Sequence, residues 1–419
     1  MSQMTPDDAP WLTAGATARV LTLLNEGGEE ARVVGGAVRN ALLKIPIGDI
    51  DIATTALPEE VMRRAKGAGV KCVPTGIEHG TVTLVVDGQP FEVTTLREDT
   101  ETFGRKAKVA FGRDWVGDAH RRDFTINALS LTADGAVHDY VGGLDDIASR
   151  RVRFIGNPAE RIAEDYLRIL RFFRIHAAFG AGEVDRPGYL ACIAAREGLA
   201  TLSAERVRTE MLKLLTADGA VAAVTAMADG GLLLPILGGV AYLGPFAAMI
   251  AAERMLGLTP DPVRRLAALA VAVTEDAKRL AQRLRLSNAE AKALDSMGHR
   301  WWRLGGMDEA TAKRRLYRLG TERYRDRLLL AWARAGTAAD PAPWLERATL
   351  SQRWSAPKFP LKAADFIVRG VAEGPSLGHV LTLAEDAWLA ADFPLDGVVL
   401  TVIADQAVAR INSSKDGRA

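Results

Sequence analysis

An α+β first part of about 155 residues followed by an all-helical remainder is the architecture this sequence predicts, and three observations carry it. Up to about Ile155, short apolar strands alternate with glycine turns and brief helical patterns. From Asn157 onward the apolar period becomes helical and stays so. No internal repeat or low-complexity tract marks the chain as a solenoid. At 419 residues, 48% hydrophobic and 25% charged, it is too long for one core and can bury several.

Residues 32–34 predict a short strand running into Gly35-Gly36, and residues 37–43 a helix whose N-terminus points at that turn. Backbone N–H groups there can cradle phosphate, glycine permits close approach, and Arg39 adds a fork of donors. In the GDIDIAT strand that follows, Asp49 and Asp51 share one face while Ile50 and Ile52 enter a core. Two carboxylates so close stay ionised together only with a cation between them. For hard oxygen ligands and a triphosphate that cation is Mg²⁺. Alone, a double glycine is a turn and D-x-D a solvated strand edge. Together within 33–54 they are what nucleotide transfer to a hydroxyl needs.

Pro58, with Glu59 and Glu60, opens a helix ending near Gly67, and residues 81–86 and 91–95 form a hairpin around Asp87-Gly88. Glu92 on the second hairpin strand either completes the metal site or is an acid on the open face of the sheet. In Arg121-Arg122-Asp123-Phe124-Thr125-Ile126-Asn127, apolar Phe124 and Ile126, with Ala128 after them, anchor one side. The polar set Arg122, Asp123 and Asn127 fits a ribose and a triphosphate, and also fits plain surface. His138-Asp139 reads as structural, and His79 as a loop or strand-entry residue.

Asn157-Pro158-Ala159-Glu160 is a capped helix start and Gly180 its stop. On one continuous helix Asp165 and Arg168 are neighbours, presenting an acceptor and donors to the Watson–Crick edge of a base. Arg171 and Arg174 continue the step but rotate away, so that Arg174 lies opposite Asp165 and serves another partner such as phosphate. The alternative is intrahelical salt bridges among Glu164, Asp165, Arg168 and Arg171, each contributing about 0.2–0.5 kcal/mol. A second long helix follows Ser203 through Leu215, and helical pieces continue to about Ala335. Residues 337–362 carry Pro341, Pro343, Pro357 and Pro360 and predict a hinge or irregular connection before a final helical segment; residues 413–419 predict a frayed end.

The net charge of +1 excludes a global field, so a polyanion must meet local basic surface. Lys313, Arg314, Arg315, Arg318, Arg323, Arg325 and Arg327 supply one, or are solvated helix faces paired with Asp308, Glu309, Glu322 and Asp326. Cys72 and Cys192 are too few and too distant for a disulfide framework or a zinc site. With no secretion-signal pattern at the start, this reads as cytoplasmic. The apolar runs within 221–252 are broken by Asp229, Pro235 and Pro245, which suits buried helices and not a membrane span.

Taken in order, GGAVRN, GDIDIAT, HGTVTLVV, FEVTTLRED, RRDFTINAL, DYVGGLDDI and AEDYLRILRFFRI resemble the motifs of the class II tRNA nucleotidyltransferase and bacterial poly(A) polymerase family, over residues 33–215. PKFPLKAADFIVRGVAEGPSLGHVLTLAEDAWL resembles, less sharply, the tail of bacterial CCA-adding members. The resemblance implies a polymerase-beta-like head (1–155) with a mixed sheet and helices, a helical neck (156–215), an RNA-binding body (216–336) and a tail (337–419). It implies Asp49 and Asp51 as the metal pair, beside which we count Glu92 as a catalytic candidate, with Gly36 and Arg39 at the phosphates. Gly35 belongs to the same turn. It further implies Arg122, Asp123 and Asn127 at nucleotide and ribose, Asp165 and Arg168 as the protein template for CTP or ATP, and Arg171 and Arg174 as further nucleotide contacts. Residues 97–115, with Gly104, resemble the flexible loop that lets relatives switch from cytidine to adenosine, although a plain surface hairpin looks similar.

The activity so implied is addition of C, C and A to the tRNA 3′ end, the acceptor arm being held by the helical part. The 3′-hydroxyl, with Mg²⁺ on Asp49 and Asp51, attacks the α-phosphate and releases pyrophosphate. Poly(A) or A-only addition, and a tRNA-binding protein without catalysis, are the alternatives. Asn40 departs from the family, where Asp commonly follows the arginine, and Lys44 and Ala363 replace common glycines.

Overall fold

A computed structural model describes residues 2–5, 9–103, 106–336 and 340–416. The chain divides into two compact units, Met1–Gly238 and Gly239–Ala419.

The strands of the first unit are β1 (Ser2–Gln3), β2 (Ala31–Val34), β3 (Asp51–Thr54), β4 (Lys71–Gly76), β5 (Thr81–Val86), β6 (Gln89–Thr95), β7 (Arg97–Phe103), β8 (Lys106–Phe111), β9 (Ser130–Leu131) and β10 (Ala136–His138). Its helices are α1 (Pro10–Thr13), α2 (Gly15–Leu24), α3 (Gly36–Leu42), α4 (Pro58–Gly67), α5 (Trp115–His120), α6 (Gly143–Ala148), α7 (Pro158–Glu164), α8 (Leu167–Phe179), α9 (Arg186–Ala194), α10 (Ala204–Thr216), α11 (Ala220–Asp229) and α12 (Leu233–Leu237). Eight strands form one mixed sheet in the order β1-β10-β9-β2-β3-β6-β5-β4, and β7 pairs with β8 separately. The expected α+β class is the one found.

Among the described strands only β3 and β6 run parallel, with Asp51 opposite Glu92. A parallel pair needs a long crossover, supplied by α4 and the β4–β5 excursion. The β5–β6 hairpin forms because alternate residues Val82, Leu84 and Val86 are buried, with Val82 opposite Val93 and Leu84 opposite Phe91 across the ladder. Its turn takes positive φ at both Asp87 (53°) and Gly88 (79°), which Asp-Gly tolerates. The expected 97–115 segment includes the β7–β8 ribbon, and its Gly104 lies outside the described residues.

One expectation fails. The single helix over 157–180 is two, because Asp165 turns extended (φ −156°, ψ 107°) between α7 and α8. Asn157 does cap α7, accepting from Ala159 N–H, and Gly180 does close α8. A run of phenylalanine rings ties α8 to the rest of the unit, Phe124 lying tilted 4.9 Å from Phe154 and Phe154 stacking 5.3 Å from Phe172. Asp139 accepts four backbone N–H groups, from Val141 to Leu144, and so fastens the turn that leads into α6.

The second unit contains α13 (Leu243–Met255), α14 (Pro262–Ala270), α15 (Thr274–Arg283), α16 (Asn288–Gly298), α17 (Glu309–Leu319), α18 (Thr321–Ala335), α19 (Ala342–Ala348), α20 (Leu350–Arg353), α21 (Ala363–Ile367), α22 (Pro375–Ala390) and α23 (Gly397–Asp416). Residues 340–362 are thus not wholly irregular: Pro341 precedes α19, where a fixed φ suits a helix start. Buried Glu253 is bonded by Arg264 and Arg265, each at 2.7 Å. In the basic stretch Lys313 pairs with Glu309 and Arg318 with Asp386, whereas Arg315 and Arg323 make no ion pair among the described residues. Among those residues no helix is long and apolar enough to cross a membrane.

Candidate active site

The site begins where β2 ends. All four β2 residues are buried, so the chain leaves the sheet at Val34 with no freedom of register. Gly35 then takes φ 72°, ψ −127°, a conformation that glycine adopts without steric cost. A Cβ there would meet nothing closer than the end of Arg122, 3.4 Å away at NH1, so it is the positive φ and not space that calls for glycine. The Gly35 N–H donates to Leu129 O at 3.2 Å, which leaves the open helix N–H groups to start at Gly36.

Asp51 opens β3, and Asp49 precedes it instead of lying within it. The alternation nonetheless extends past the ladder, since Ile50 and Ile52 are buried while both aspartates are exposed. Asp49, Asp51 and Glu92 line one cleft of about 670 Å³, together with Gly35, Gly36, Arg39, Arg122, Asp123, Asn127, Asp165, Arg168, Arg171 and Arg174. The residues proposed from the sequence for the metal and nucleotide therefore line a common space.

At the cleft floor the carboxylates crowd. Solvent withdrawal by the surrounding protein, then repulsion from Glu92, push the Asp51 carboxyl up to about 6, with Asp49 adding to the rise and Arg122 opposing it. Among the described residues none of the three acids has an ion pair, and no three acidic, histidine or cysteine side chains form a metal cage.

The opposite wall is a chain of paired charges. Asp118, 3% exposed on α5, is bridged by Arg121 and by Arg122 at 3.0 Å. Burial alone would raise the Asp118 pKa, but the two guanidinium groups hold it below the usual carboxylate range. Asp123 takes Arg171 on one oxygen (2.7 Å from Nε) and Asn127 Nδ2 on the other (3.3 Å). Asn127 Oδ1 in turn accepts from Arg39 NH1 at 2.5 Å. Arg39 Cζ lies over Phe179, 3.5 Å from the ring centroid, and burial first, then Arg174, lower its pKa to about 10, which leaves it charged at neutral pH.

The helix break puts Asp165 off α8, so the expected one-face relation to Arg168 does not come from a continuous helix. Both residues reach the cleft all the same, and so does Arg174, which a straight helix would have placed opposite. Asp165 is oriented by Leu167 N–H at 3.1 Å and by Arg206 at 2.6 Å. Arg168 uses NH1 for Arg161 O (2.7 Å) and Glu164 (2.5 Å), which leaves its other two nitrogens for a ligand. Of the salt bridges weighed for this stretch, only Glu164–Arg168 forms among the described residues, and it spans the break between α7 and α8 instead of lying within one helix. Arg174 pairs with Glu210 on α10.

Sequence reasoning missed Arg206, Glu210 and Lys213, which lie on α10, and the cleft-lining Asn40 as a partner of Arg39. One signal was present: Glu210 stands on the apolar face with Val207, Met211 and Leu214, and it is 7% exposed. An acid in such a stripe needs a buried cation.

Residues 31–153 match the family described as the poly A polymerase head domain, and residues 190–243 the one described as a probable RNA and SrmB-binding site of polymerase A. Over 401 residues the chain is 33% identical to the mitochondrial CCA tRNA nucleotidyltransferase 1 of Mus musculus, covering 93% of this chain and 89% of that protein. The chain belongs to the tRNA nucleotidyltransferase and poly(A) polymerase family. A further member, the CCA-adding enzyme of Limosilactobacillus fermentum, is 34% identical over 379 residues, or 87% of this chain and 89% of that one. Among solved members, the Bacillus stearothermophilus CCA-adding enzyme in complex with CTP aligns with a TM-score of 0.73 at 27% identity, covering 98% of this chain and all of that one.

Proposed function

We propose that this chain is a CCA-adding tRNA nucleotidyltransferase, building C, C and A onto the tRNA 3′ end from CTP and ATP with release of pyrophosphate. The observation that carries the reading is one cleft in which unpaired carboxylates face a wall of oriented arginines. It occurs in a chain similar along 93% of its length to an enzyme of that name.

The donor set fits a hard divalent cation. Asp49 and Asp51 would hold Mg²⁺, with Glu92 adjacent, because such an ion would offset both the solvent withdrawal and the repulsion that lift Asp51. Two carboxylates without a closed cage suit an ion whose remaining ligands are phosphate oxygens and water. When bound, Mg²⁺ neutralises triphosphate charge and eases formation of the attacking alkoxide.

The chain's own groups supply placement. Open N–H groups from Gly36, with Arg39 and Arg122, bind the phosphates, and the Asp123–Asn127 pair faces the ribose. Asp165 accepts from the base edge and Arg168 donates to it, so choice between CTP and ATP is made by protein. Arg171 and Arg174 add contacts to the nucleotide. The tRNA 3′-oxygen bonds to the α-phosphorus in line as the bond to pyrophosphate breaks, and positioning is most of the catalysis.

On this reading residues 1–155 are the head, 156–215 the neck, 216–336 an RNA-binding body and 337–419 a tail that helps hold the acceptor arm, with 97–115 as the segment used in the switch to ATP. The two free thiols, Cys72 and Cys192, fit a reducing compartment such as the cytoplasm. The match to a poly A polymerase head keeps one rival, so the test reads product length. With Mg²⁺, transcripts of tRNA lacking CCA, tRNA ending in CC and an unstructured RNA are each given CTP, ATP or both. Addition of CCA followed by arrest on the tRNAs alone supports the proposal, and long A tails on all three make the chain a poly(A) polymerase.

A further inference from the structure

Asn40 sits between two parts of the site that the mechanism treats separately. Its Oδ1 accepts from Arg39 Nε and NH2 at 3.2 and 2.8 Å, and its Nδ2 donates to Pro46 O at 2.9 Å. Two donors at one end and a carbonyl at the other fix the orientation of the amide. Pro46 stands three residues before Asp49, on the loop that delivers both aspartates to the cleft floor.

That loop starts from a strained turn. Lys44 adopts φ 55°, in the left-handed region that favours glycine. Asn40 holds the turn twice, since its backbone carbonyl accepts Ile45 N–H at 3.0 Å while its side chain holds Pro46. On the other side the hydrogen bonds run on without a gap from Arg39 through Asn127 and Asp123 to Arg171 on α8. The line thus connects the helix beside the base-reading residues to the loop bearing the metal pair.

We propose that Asn40 is a positioning residue that locks the phosphate-facing Arg39 to the loop carrying Asp49 and Asp51, and that with lysine at position 44 it must be a neutral amide. An aspartate here would still accept from Arg39 but has no proton for Pro46 O, and its second oxygen would confront that carbonyl. It would also offset the Arg39 charge before a triphosphate arrives. The two departures seen in the sequence, Asn40 and Lys44, therefore act as one unit: a side chain that fastens a turn which glycine would have left relaxed.

The kinetic part of this inference rests on the nucleotidyltransferase reading; the loop part does not. The test uses the full chain with Asn40→Asp, Asn40→Leu and Lys44→Gly, singly and as doubles. Backbone hydrogen exchange at residues 43–50 is followed, and kcat and KM for CTP are measured on tRNA lacking CCA. Both Asn40 variants should speed exchange in 43–50 by about tenfold and lower kcat by about tenfold through misplacement of the metal pair. Asn40→Asp should recover when combined with Lys44→Gly, because the relaxed turn no longer needs the tether. Asn40→Leu should not recover, and its KM for CTP should stay raised, because Arg39 has lost the acceptor that fixes its Nε and NH2 and keeps only Asn127 and the Phe179 ring. Unchanged exchange and kinetics in Asn40→Asp, or no rescue by Lys44→Gly, would overturn the inference. Should Asn40→Leu fail to fold, the Asn40→Asp pair of measurements decides alone. If the unaltered chain transfers no nucleotide to any RNA, the functional reading fails, and exchange at 43–50 still decides the role of Asn40.

Discussion

The floor of the cleft and its arginine wall handle charge in opposite ways. On the floor, Asp49, Asp51 and Glu92 are exposed acids without an ion pair among the described residues, and loss of solvent contact, then repulsion from Glu92, pushes Asp51 up to about 6. On the wall, Arg168, Arg171 and Arg174 each have an acid, namely Glu164, Asp123 and Glu210. Burial alone would lower the Arg171 pKa, yet Asp123 raises it on balance. Charges kept unpaired at a cost mark where a ligand supplies the counter-charge, whereas paired ones are held for geometry.

That contrast can be broken experimentally. Asp49→Ala, which empties half the floor, should cut nucleotide transfer roughly thousandfold, the scale of losing charge stabilisation at a reacting centre, while tRNA binding by filter retention stays nearly intact. Normal turnover would remove Asp49 from the metal pair. On the wall, Asp165→Ala should blur the choice between CTP and ATP by about 10- to 100-fold, more than it weakens tRNA affinity. An unchanged ratio of kcat/KM for the two nucleotides would count against a protein template.

Two smaller effects sharpen the comparison. Asp51 titrates at about 6 in the fold against 3.8 ordinarily, so between those values the unfolded chain gives up its proton first. Stability from this group therefore falls as pH rises through that window, and the penalty is complete above about 6. In EDTA, Asp51→Asn should then melt above the unaltered protein at pH 8, with the two curves converging below pH 4. A floor already neutralised by other means would show no difference. Arg206→Ala should be mildest, raising nucleotide KM by up to about fivefold, because a half-exposed pair contributes at most about 1 kcal/mol.

How much of this was legible depends on distance along the chain. Gly35, Gly36, Arg39, Asp49 and Asp51 fall within one β-turn-α-loop-β unit, so local periodicity sufficed to bring them together. Glu92 was placed in the same sheet by its hairpin, but that it lies directly opposite Asp51 follows from β3 and β6 pairing in parallel across 41 residues. The break at Asp165 was invisible because Glu164, Asp165, Tyr166 and Leu167 carry no proline or glycine. The bend is held by Arg206, 41 residues later, and by Leu167 N–H. Helical counting from Asp165 therefore gave the wrong face for Arg174.

Composition, strand alternation and motif order by themselves determined the α+β head, the helical remainder and the residue types of the candidate site, because each is set by contacts within a few turns of chain. Which acid neutralises which arginine, which residue orients Asp165, and that Asn40 joins Arg39 to the Asp49 loop were decided only by tertiary structure. Those are matters of side-chain direction and desolvation, and they arise when segments remote in sequence are packed around one cleft.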